Sequence, residues 1–368
     1  MHIGLIIYGS LATLSGGYIY DRLVVDYLRQ CGHRVDVISQ RPGAYWQQLL
    51  GRGRLSPGFY GDMVNTPYDL LLQDELNHPS LFRTNQRLKK RADIPIVAVV
   101  HQVLCRQPRN GLLNRVYESI ETRYLNSVDA FIFNSDTTRQ TVESLICRHR
   151  QSLVAFPAGD RLGGLKSAER IGLRALAPGP LRLIFVGNLL PNKGLRPLIQ
   201  SLSQLPSRTW QLTVVGSLTM DCRYRRGIEK LIASRSLQRE VELLGPRDGP
   251  ELASLLARSH VFVMPYSHEG FGMACLEAMA FGLPVIGSTS GALKEFVIPG
   301  RNGFLIDPGD AATTPACLKR LAGDRRLLID MSHAALQTFQ ERPTWCHTLQ
   351  LVHGFLCGLT TKKRRPPT

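Results

Sequence analysis

The sequence predicts an α/β protein built from two doubly wound domains. Three observations lead to this class. Short apolar, β-rich runs alternate with longer amphipathic stretches almost to the end of the chain, the runs fall into two sets of about six, and a stretch rich in glycine, proline and charge separates the two sets. A chain of 368 residues has room for two domains of ordinary size.

The candidate strands are apolar at nearly every position, as expected for parallel strands buried on both faces. In the first half they are HIGLII, HRVDVIS, YDLLLQ, PIVAVV, AFIFNS and SLVAFP. In the second half they are LRLIFVG, WQLTVVG, EVELLG, HVFVMP, LPVIGS and NGFLIDP. We therefore predict two parallel sheets rather than one large sheet.

The domain boundaries follow from changes in composition. We place the first domain at 1–160, a linker at 161–180 and the second domain at 181–340. The stretch TWCHTLQLVHGFLCGLT has apolar residues at helical spacing, which predicts a final helix at 341–360. The last residues, 361–368, are expected to form a disordered basic tail.

The charge of the chain raises the question of anionic partners. There are 45 basic and 29 acidic residues, a net charge of +16, and the excess is spread over both halves. No basic stripe interleaved with aromatic residues is apparent, so nucleic acid is not an expected partner. Peripheral contact with an anionic membrane face is an alternative, and solvated surface charge is another. Candidate membrane contacts are 89–91, Arg106, Arg109 and Arg115.

Two further features of the composition point to a cytoplasmic protein without a metal. The longest apolar runs are far shorter than the roughly 20 residues that a membrane-spanning helix needs. The eight cysteines form no CxxC pair, and no histidine cluster accompanies them at zinc-ligand spacing. We expect reduced thiols, a cytoplasmic location and no bound metal.

A loop with two glycines follows the candidate strand HVFVMP, in the segment PYSHEGFGMACLEAMAFGLPVIGS. Gly270 and Gly272 allow the backbone to approach a ligand closely, and an apolar helix is predicted to begin near Met273. The free N–H groups of a helix start suit a diphosphate.

Two carboxylates flank this helix start. Glu269 precedes it and Glu277 lies eight positions later, about 12 Å along the axis of an α-helix. This separation exceeds the roughly 5 to 9.5 Å of the paired carboxylates in glycosidases, so hydrolysis is disfavoured. It suits a nucleotide sugar, with one carboxylate near the ribose and the other near the hexose. The alternative is a pair of glutamates without a ligand.

This segment, EGFGMACLEAMAFGLPVI, resembles the E-x7-E signature of the family-4 retaining glycosyltransferases. The resemblance covers essentially the whole chain and implies the GT-B fold, in which two Rossmann-like domains face an interdomain cleft. It also implies that Glu277 binds the ribose and that Glu269 contacts the donor hexose. The implied donor is a UDP-, GDP- or ADP-hexose, and the acceptor is a glycan, a lipid or a small molecule.

A second motif, LIFVGNLLPNKGLRPLI, places Lys193 in a loop after a strand that ends at Gly187. A lysine there can neutralise a leaving diphosphate without a metal. Where this chain has Asn188, the family usually has arginine, so one phosphate-binding charge is missing. Arg196 or Arg247 could supply it. The chain contains no DxD motif, which agrees with metal independence.

The N-terminal half contributes glycines and a histidine. Gly16 and Gly17 precede a helix without the GxGxxG of a dinucleotide site, so NAD is not predicted. The resemblance places a glycine-rich loop here against the donor phosphates and the acceptor, and a plain β-to-α turn is the alternative. His101 ends the strand PIVAVV and resembles the histidine that contacts the transferred hexose, although Gln102 replaces the more usual aspartate.

Other landmarks of the family are Asn134 and Ser135, and the segment 157–160. Ser135 is predicted to cap a helix rather than to act in catalysis. The acceptor pocket is expected in the N-terminal loops, within 45–66 and 102–115.

The sequence therefore predicts a metal-independent, retaining hexosyltransferase. Two alternatives stay open. One is a nucleotide-sugar 2-epimerase, which would need further acid/base carboxylates in the N-terminal half, and the other is a non-catalytic homologue that binds a nucleotide sugar. The predicted catalytic residues are Glu269, His101 and Lys193. The predicted donor-binding residues are Gly16, Gly17, Gly187, Asn188, Lys193, Gly270, Phe271, Gly272, Met273, Ala274 and Glu277.

Overall fold

The chain forms two compact units. The structure, a computed structural model, describes residues 1–50, 59–107, 111–165, 167–267, 269–308, 310 and 312–363. The first unit contains Met1–Phe156 together with Cys346–Thr368, and the second contains Pro157–Trp345.

The division between the units differs from the predicted one. The boundary lies after Phe156, and the expected linker at 161–180 belongs to the second unit. Residues Glu169–Leu176 form a helix there, whose Arg174 donates hydrogen bonds to the carbonyl oxygens of Phe281 (2.8 Å) and Gly282 (2.7 Å). Apart from Gly172, which lies within it, the glycines and prolines that suggested a linker therefore flank a packed helix.

The first unit is built on a six-stranded parallel sheet. Its strands are β1 (His2–Tyr8), β2 (Arg34–Gln40), β3 (Leu70–Asp74), β4 (Ile96–Val100), β5 (Ala130–Phe133) and β6 (Gln151–Val154). They lie in the order β2-β1-β3-β4-β5-β6. The central strands β3, β4 and β5 are buried at every residue, because helices cover both faces of such a sheet.

Within the described part of this unit, six α-helices lie between these strands. They are α1 (Gly16–Gln30), α2 (Tyr45–Leu49), α3 (Phe59–Asn65), α4 (His78–Leu88), α5 (Gly111–Leu125) and α6 (Asp136–Glu143). The apolar residues of α1 recur at helical spacing, so Val24, Val25 and Leu28 are all buried. The helix ends before Gly32, which has a φ of 80° that favours glycine.

The second unit repeats this plan. Its strands are β7 (Leu181–Val186), β8 (Trp210–Val215), β9 (Val241–Gly245), β10 (Val261–Met264), β11 (Val285–Ser288) and β12 (Gly303–Ile306), in the order β12-β11-β10-β7-β8-β9. All are parallel. Its helices are α7 (Glu169–Leu176), α8 (Leu195–Leu202), α9 (Cys222–Ser234), α10 (Gly249–Arg258), α11 (Met273–Met279), α12 (Thr313–Gly323) and α13 (Arg325–Gln340).

Each of the twelve runs predicted to be strands overlaps one of these strands, and the predicted fold class is confirmed. In both sheets the strand order reverses beside the first strand, between β1 and β3 and between β7 and β10. Ligands of doubly wound sheets bind outside the carboxyl ends of the strands at this point. The loops after these strands are therefore the places to examine.

The last helix, α14 (Trp345–Lys363), begins four residues later and ends three residues later than the predicted helix at 341–360. Residues 361–363, expected in the disordered tail, are helical, and the hydroxyl groups of Thr360 and Thr361 both donate to the carbonyl oxygen of Cys357, at 3.0 and 2.6 Å. The rest of the predicted tail, 364–368, lies outside the described residues. Among the described helices, none combines the length and the apolar composition that crossing a bilayer requires.

Candidate functional site

In the second unit, the loops after β7 and β10 are in direct contact at the point where the strand order reverses. The main-chain N–H of Ser267 donates to the carbonyl oxygen of Asn192 at 2.9 Å. A Cβ atom on Gly194 would lie 2.1 Å from the carbonyl oxygen of Pro265, and this residue has a φ of 77°. Only glycine allows the two backbones to approach this closely.

This contact brings two predicted catalytic residues together. The Nζ of Lys193 donates a hydrogen bond to Oε2 of Glu269, and each side chain is 21% exposed. Residues 76 positions apart in the sequence thus form an ion pair at the carboxyl edge of the sheet, partly open to solvent. A partly exposed cation at this edge can meet an anionic ligand.

In the loop before α11, the described residues after Glu269 are two glycines and a buried phenylalanine, so the loop offers backbone groups rather than polar side chains to a ligand. Gly272 adopts a left-handed conformation (φ 89°, ψ 48°) and precedes Met273, where the helix begins as predicted. Phe271 is buried, with its ring 5.3 Å from that of Phe296, and Gly270 and Met273 are buried as well. Ala274 is partly exposed. Because α11 has only seven residues, its dipole is a weaker source of positive charge than the neighbouring Lys193.

Glu277 lies within α11 and is 4% exposed. The Nε of Arg161 donates to its Oε1 at 2.9 Å, and Arg161 also pairs with Asp248. Burial raises the pKa of Glu277 more than Arg161 lowers it. In Arg161, burial is outweighed by the two carboxylates, which raise its pKa, so this side chain stays positively charged.

Arg161 was not predicted as a site residue, because it falls in the segment 161–180 that was expected to be a linker. It lies in a short turn, Asp160–Leu162, that packs against α11. A Cβ atom on Gly159 would lie 2.8 Å from the carbonyl oxygen of Leu276, so a larger residue would push the turn away. The sequence did point to this region, because the segment 157–160, a landmark of the family, ends one residue before Arg161.

Asn188 stands where the family usually has arginine, and its side chain forms a hydrogen bond with the backbone. The Oδ1 of Asn188 accepts a hydrogen bond from the N–H of Ser217 at 2.9 Å, which joins the loops after β7 and β8. Gly187 donates to the carbonyl oxygen of Val215 at 2.8 Å. The two suggested replacements are used elsewhere. Arg247 pairs with Glu251 at 3.2 Å, and the guanidinium of Arg196 lies against Gly227.

In the first unit, His101 follows β4 and forms an ion pair with a helix residue. Its Nε2 lies 2.9 Å from Oδ1 of Asp21 in α1, and both side chains are buried. A Cβ atom on Gly17 would lie 3.1 Å from Cδ2 of His101, so Gly17 lets the imidazole pack against the helix. The structure thus brings Gly17 and His101 together and adds Asp21 to the site. The prediction that Gly16 and Gly17 precede the helix is wrong, because they are the first two residues of α1.

A second carboxyl group takes part in this site. Asp74 ends β3, and its pKa is raised to about 7 by burial and by the charge of Asp21. Burial disfavours the charged form of His101, but Asp21 and Asp74 together raise the pKa of this imidazole above its ordinary value. Asp74 can therefore change its protonation state near neutral pH, beside a histidine whose pKa is raised.

The landmark Asn134 holds the backbone of this site. Its Nδ2 donates to the carbonyl oxygen of His101 at 2.7 Å. The next residue, Ser135, caps α6 by accepting a hydrogen bond from the N–H of Thr138 at 3.0 Å, as predicted. Of the loops expected to bind the acceptor, 51–58 and 108–110 lie outside the described residues.

Comparison with known proteins agrees with this geometry. A model of Glycosyltransferase Family 4 matches residues 20–155, and a model of Glycosyl transferases group 1 matches residues 174–337. A D-inositol 3-phosphate glycosyltransferase of Pseudarthrobacter chlorophenolicus is 33% identical over 256 residues. That match covers 66% of this chain and 60% of the relative, so it spans less than two thirds of the relative's length.

Solved structures share the fold over nearly the whole chain. A sucrose-phosphate synthase from Thermosynechococcus elongatus has a TM-score of 0.83 at 21% identity, covering 98% of this chain and 99% of that one. Anabaena HepE in complex with UDP-glucose has a TM-score of 0.76 at 20% identity, covering 97% and 100%. The two family models together match most of both units, and the fold is that of the GT-B enzymes. The chain belongs to the family-4 glycosyltransferases.

Proposed function

We propose that this protein transfers a hexose from a nucleotide diphosphate sugar to an acceptor hydroxyl group, with retention of configuration and without a metal. The observation that carries the proposal is the contact of Lys193 with Glu269 where the order of the second sheet reverses. This pair offers a cation to a diphosphate and a carboxylate to a sugar hydroxyl group, side by side.

In the proposed donor complex, the diphosphate competes with Glu269 for the ammonium group of Lys193. Freed from that contact, Glu269 accepts hydrogen bonds from hexose hydroxyl groups. Glu277 accepts hydrogen bonds from the ribose, and Arg161 holds it in place from the side. The cations near the donor thus come from lysine and arginine, and the anionic leaving group requires no metal.

The chemical step breaks the bond between C1 of the hexose and the diphosphate oxygen, and the diphosphate leaves with the electron pair. The acceptor oxygen forms the new bond to C1, and its proton passes to the departing diphosphate. Lys193 stabilises the charge that develops on the diphosphate, an effect that is larger in the transition state than in the bound substrate. Retention, and the contact of His101 with the transferred hexose, rest on the family resemblance.

Donor turnover tests this proposal directly. Purified protein is incubated with UDP-, GDP- and ADP-hexoses, first alone and then with glycan, lipid and small-molecule acceptors, and products are identified by mass spectrometry and NMR. Transfer to one acceptor with an unchanged anomeric configuration is the expected result. An inverted product would contradict retention, and failure to bind any of these donors in calorimetry would overturn the proposal.

The same experiment separates the two alternatives. A nucleotide-sugar 2-epimerase would release a sugar inverted at C2 from donor alone. The carboxyl groups of Asp21 and Asp74 beside His101 are the kind of groups that this chemistry needs, although each is only 2 to 3% exposed. A non-catalytic homologue would bind donor and leave it unchanged.

We further propose that the first unit contacts an anionic membrane through the surface between α2, α4 and α5. A groove of about 420 Å³ there is lined by Arg83, Arg115 and Arg123, among other residues. Exposed apolar side chains accompany these cations, with Leu50 64% and Leu112 74% exposed. A surface that combines apolar side chains with arginines fits a bilayer with acidic headgroups.

Among the sequence-predicted membrane contacts that the structure describes, only Arg115 lines this groove. Lys89 pairs with Asp129 at 2.5 Å, Arg106 pairs with Glu118 at 3.7 Å, and Arg109 lies outside the described residues. Sedimentation with vesicles that contain phosphatidylglycerol should be weakened by Leu112→Asp. Leu173→Asp, at a position 76% exposed in α7, is the matched control. Equal binding by both variants would exclude this surface.

A further inference from the structure

In the first unit, three side chains with metal-ligating atoms lie close together, and none of them is among the residues assigned to sugar transfer. His33 lies in the turn between α1 and β2, and His353 and Cys357 lie on α14. Their ligand atoms are all within 4.8 Å of one another, and all three side chains are partly exposed. Solvent, and therefore an ion, can reach them.

The distances within this cluster are close to those of a coordination sphere. The Nε2 atoms of the two histidines are 2.9 Å apart, and the Sγ of Cys357 lies 3.4 Å from Nε2 of His353. In a tetrahedral zinc site, with bonds of about 2.0 to 2.1 Å to nitrogen and about 2.3 Å to sulfur, two nitrogens are about 3.3 Å apart and a nitrogen and a sulfur about 3.6 Å. Movements of about half an ångström bring these two pairs to the ideal separations.

The arrangement is poorly explained as hydrogen bonding alone. One nitrogen, Nε2 of His353, faces both the imidazole nitrogen of His33 and the thiol of Cys357. A neutral imidazole nitrogen carries either one proton or one lone pair, so it can serve only one of these neighbours well. A cation among the three atoms would accept a lone pair from each.

The backbone and the neighbouring groups hold the three side chains in this arrangement. His353 and Cys357 are four residues apart on α14, so they project from the same face one turn apart. The Nδ1 of His33 lies 3.1 Å from the N-terminal amino group of Met1, and Nε2 is turned toward α14. For Nε2 to bind a metal, Nδ1 must carry the imidazole proton and donate it to this amino group in its uncharged form, as ligating histidines donate from their second nitrogen.

We propose that His33, His353 and Cys357 bind a divalent metal of the zinc type, with water in the fourth position. Two imidazoles and a thiolate suit Zn²⁺ or Co²⁺ and not the oxygen-preferring Mg²⁺ or Ca²⁺. The metal would fasten α14 to the α1–β2 turn of the same unit and would take no part in sugar transfer.

No metal was predicted from the sequence because the chain has no CxxC pair and no histidine cluster beside its cysteines at zinc-ligand spacing. The pair His353 and Cys357 has helical i, i+4 spacing, and the third ligand lies 320 residues before His353. Only the fold brings these parts together.

Cobalt titration tests the site. Untagged full-length protein is reduced, stripped of metal with chelator and titrated with Co²⁺. We expect one cobalt per chain, a thiolate-to-cobalt charge-transfer band, the intense visible bands of tetrahedral cobalt and a higher unfolding temperature. Cys357→Ser should lose the charge-transfer band, and His353→Gln should bind cobalt at least tenfold more weakly. Cys346→Ser and His347→Gln change exposed residues of the same helix and should match the parent protein.

His33→Gln provides a variant that leaves α14 unchanged, so that weaker binding cannot be attributed to a damaged helix. It should also bind cobalt at least tenfold more weakly while keeping the thiolate band at saturation. Absence of that band in the parent protein would overturn the proposal. Equal cobalt affinity in Cys357→Ser or in His33→Gln would overturn it as well.

Discussion

The carboxyl edge of the second sheet carries cations paired with carboxylates, whereas the same edge of the first sheet carries two carboxylates around one histidine. In the second unit, Lys193 contacts Glu269 and Arg161 contacts Glu277. In the first unit, His101 meets Asp21 at 2.9 Å, with Asp74 nearby. The two units share a topology but differ in the electrostatics of corresponding places.

The second unit carries an arginine whose charge does not change with pH, whereas the first carries groups whose charge does. Two carboxylates raise the pKa of Arg161, which therefore keeps its charge. Burial and the charge of Asp21 raise the pKa of Asp74 to about 7, and the pKa of His101 is raised as well. The second unit thus suits the binding of an anion whose charge must be balanced at every pH, and the first suits groups that gain and lose protons.

The largest effect is expected from removing the fixed charge near the leaving group. Lys193→Ala should lower the turnover of the donor by roughly 100-fold or more, the usual cost of losing one group that stabilises charge in the transition state. Steady-state kinetics with a saturating donor measures this. Lys230→Ala, which changes an exposed lysine of α9, is the control. A Lys193→Ala enzyme as fast as the control would show that the charge is not used.

The next largest effect concerns donor affinity. Glu277→Ala should weaken donor binding by about 1.5 to 3 kcal/mol, the contribution of a hydrogen bond to a charged group. It also removes one of the two carboxylates that hold Arg161. Isothermal calorimetry with the nucleotide sugar measures the affinity, and Glu251→Ala on the surface of α10 serves as the control. Unchanged affinity would contradict the ribose role.

Comparison of these two pairs shows what the sequence can and cannot predict. Lys193 and Glu269 were both identified because each follows a strand within a few residues, so a local pattern of strand, glycine loop and helix is enough to locate them. Arg161 was missed because its partner Glu277 is 116 residues away and its surroundings have the composition of a linker. Asp21 was missed for a similar reason, since helical periodicity indicates that a position faces inward but does not identify its partner.

The two units should also differ in how stability depends on pH. In the first unit, burial raises the pKa values of Glu75 and Glu121 to about 8, and His78 lies 2.9 Å from Glu75. In the folded protein these two carboxyl groups therefore stay protonated above their ordinary pKa of 4.5. Their protonation contributes its full stabilisation below pH 4.5, and this contribution is lost as the pH rises from 4.5 to about 8.

Replacing one of these carboxyl groups with a side chain that cannot ionise should reduce the stability lost at high pH. The protein should unfold at a lower urea concentration at pH 8.5 than at pH 6.5, by up to about 1.4 kcal/mol per group and pH unit. Glu75→Gln should reduce the difference, while Glu118→Gln on the outer face of α5 should preserve it. The same pH dependence in both variants would mean that Glu75 is ionised throughout.

A smaller effect is expected in the pH profile of transfer. Because Asp21 raises the pKa of His101, Asp21→Asn should lower it and shift the His101-dependent limb of the profile toward lower pH, whichever protonation state is active. The profile of kcat/KM, measured from pH 5 to 9, tests this. Asp26→Asn on the same helix should leave it unchanged. A limb that stays in place after Asp21→Asn would assign the titration to another group.

The smallest effect should come from removing metals. With Lys193 and Arg161 supplying positive charge in the second unit, chelator should leave the transfer rate unchanged. The same treatment should lower the unfolding temperature if His33, His353 and Cys357 hold a metal in the first unit. Measuring both quantities in one preparation separates a metal that supports the fold from one that supports the chemistry. Complete loss of transfer that manganese restores would refute metal independence, and with it the view that the fixed cations of the second unit suffice for the leaving group.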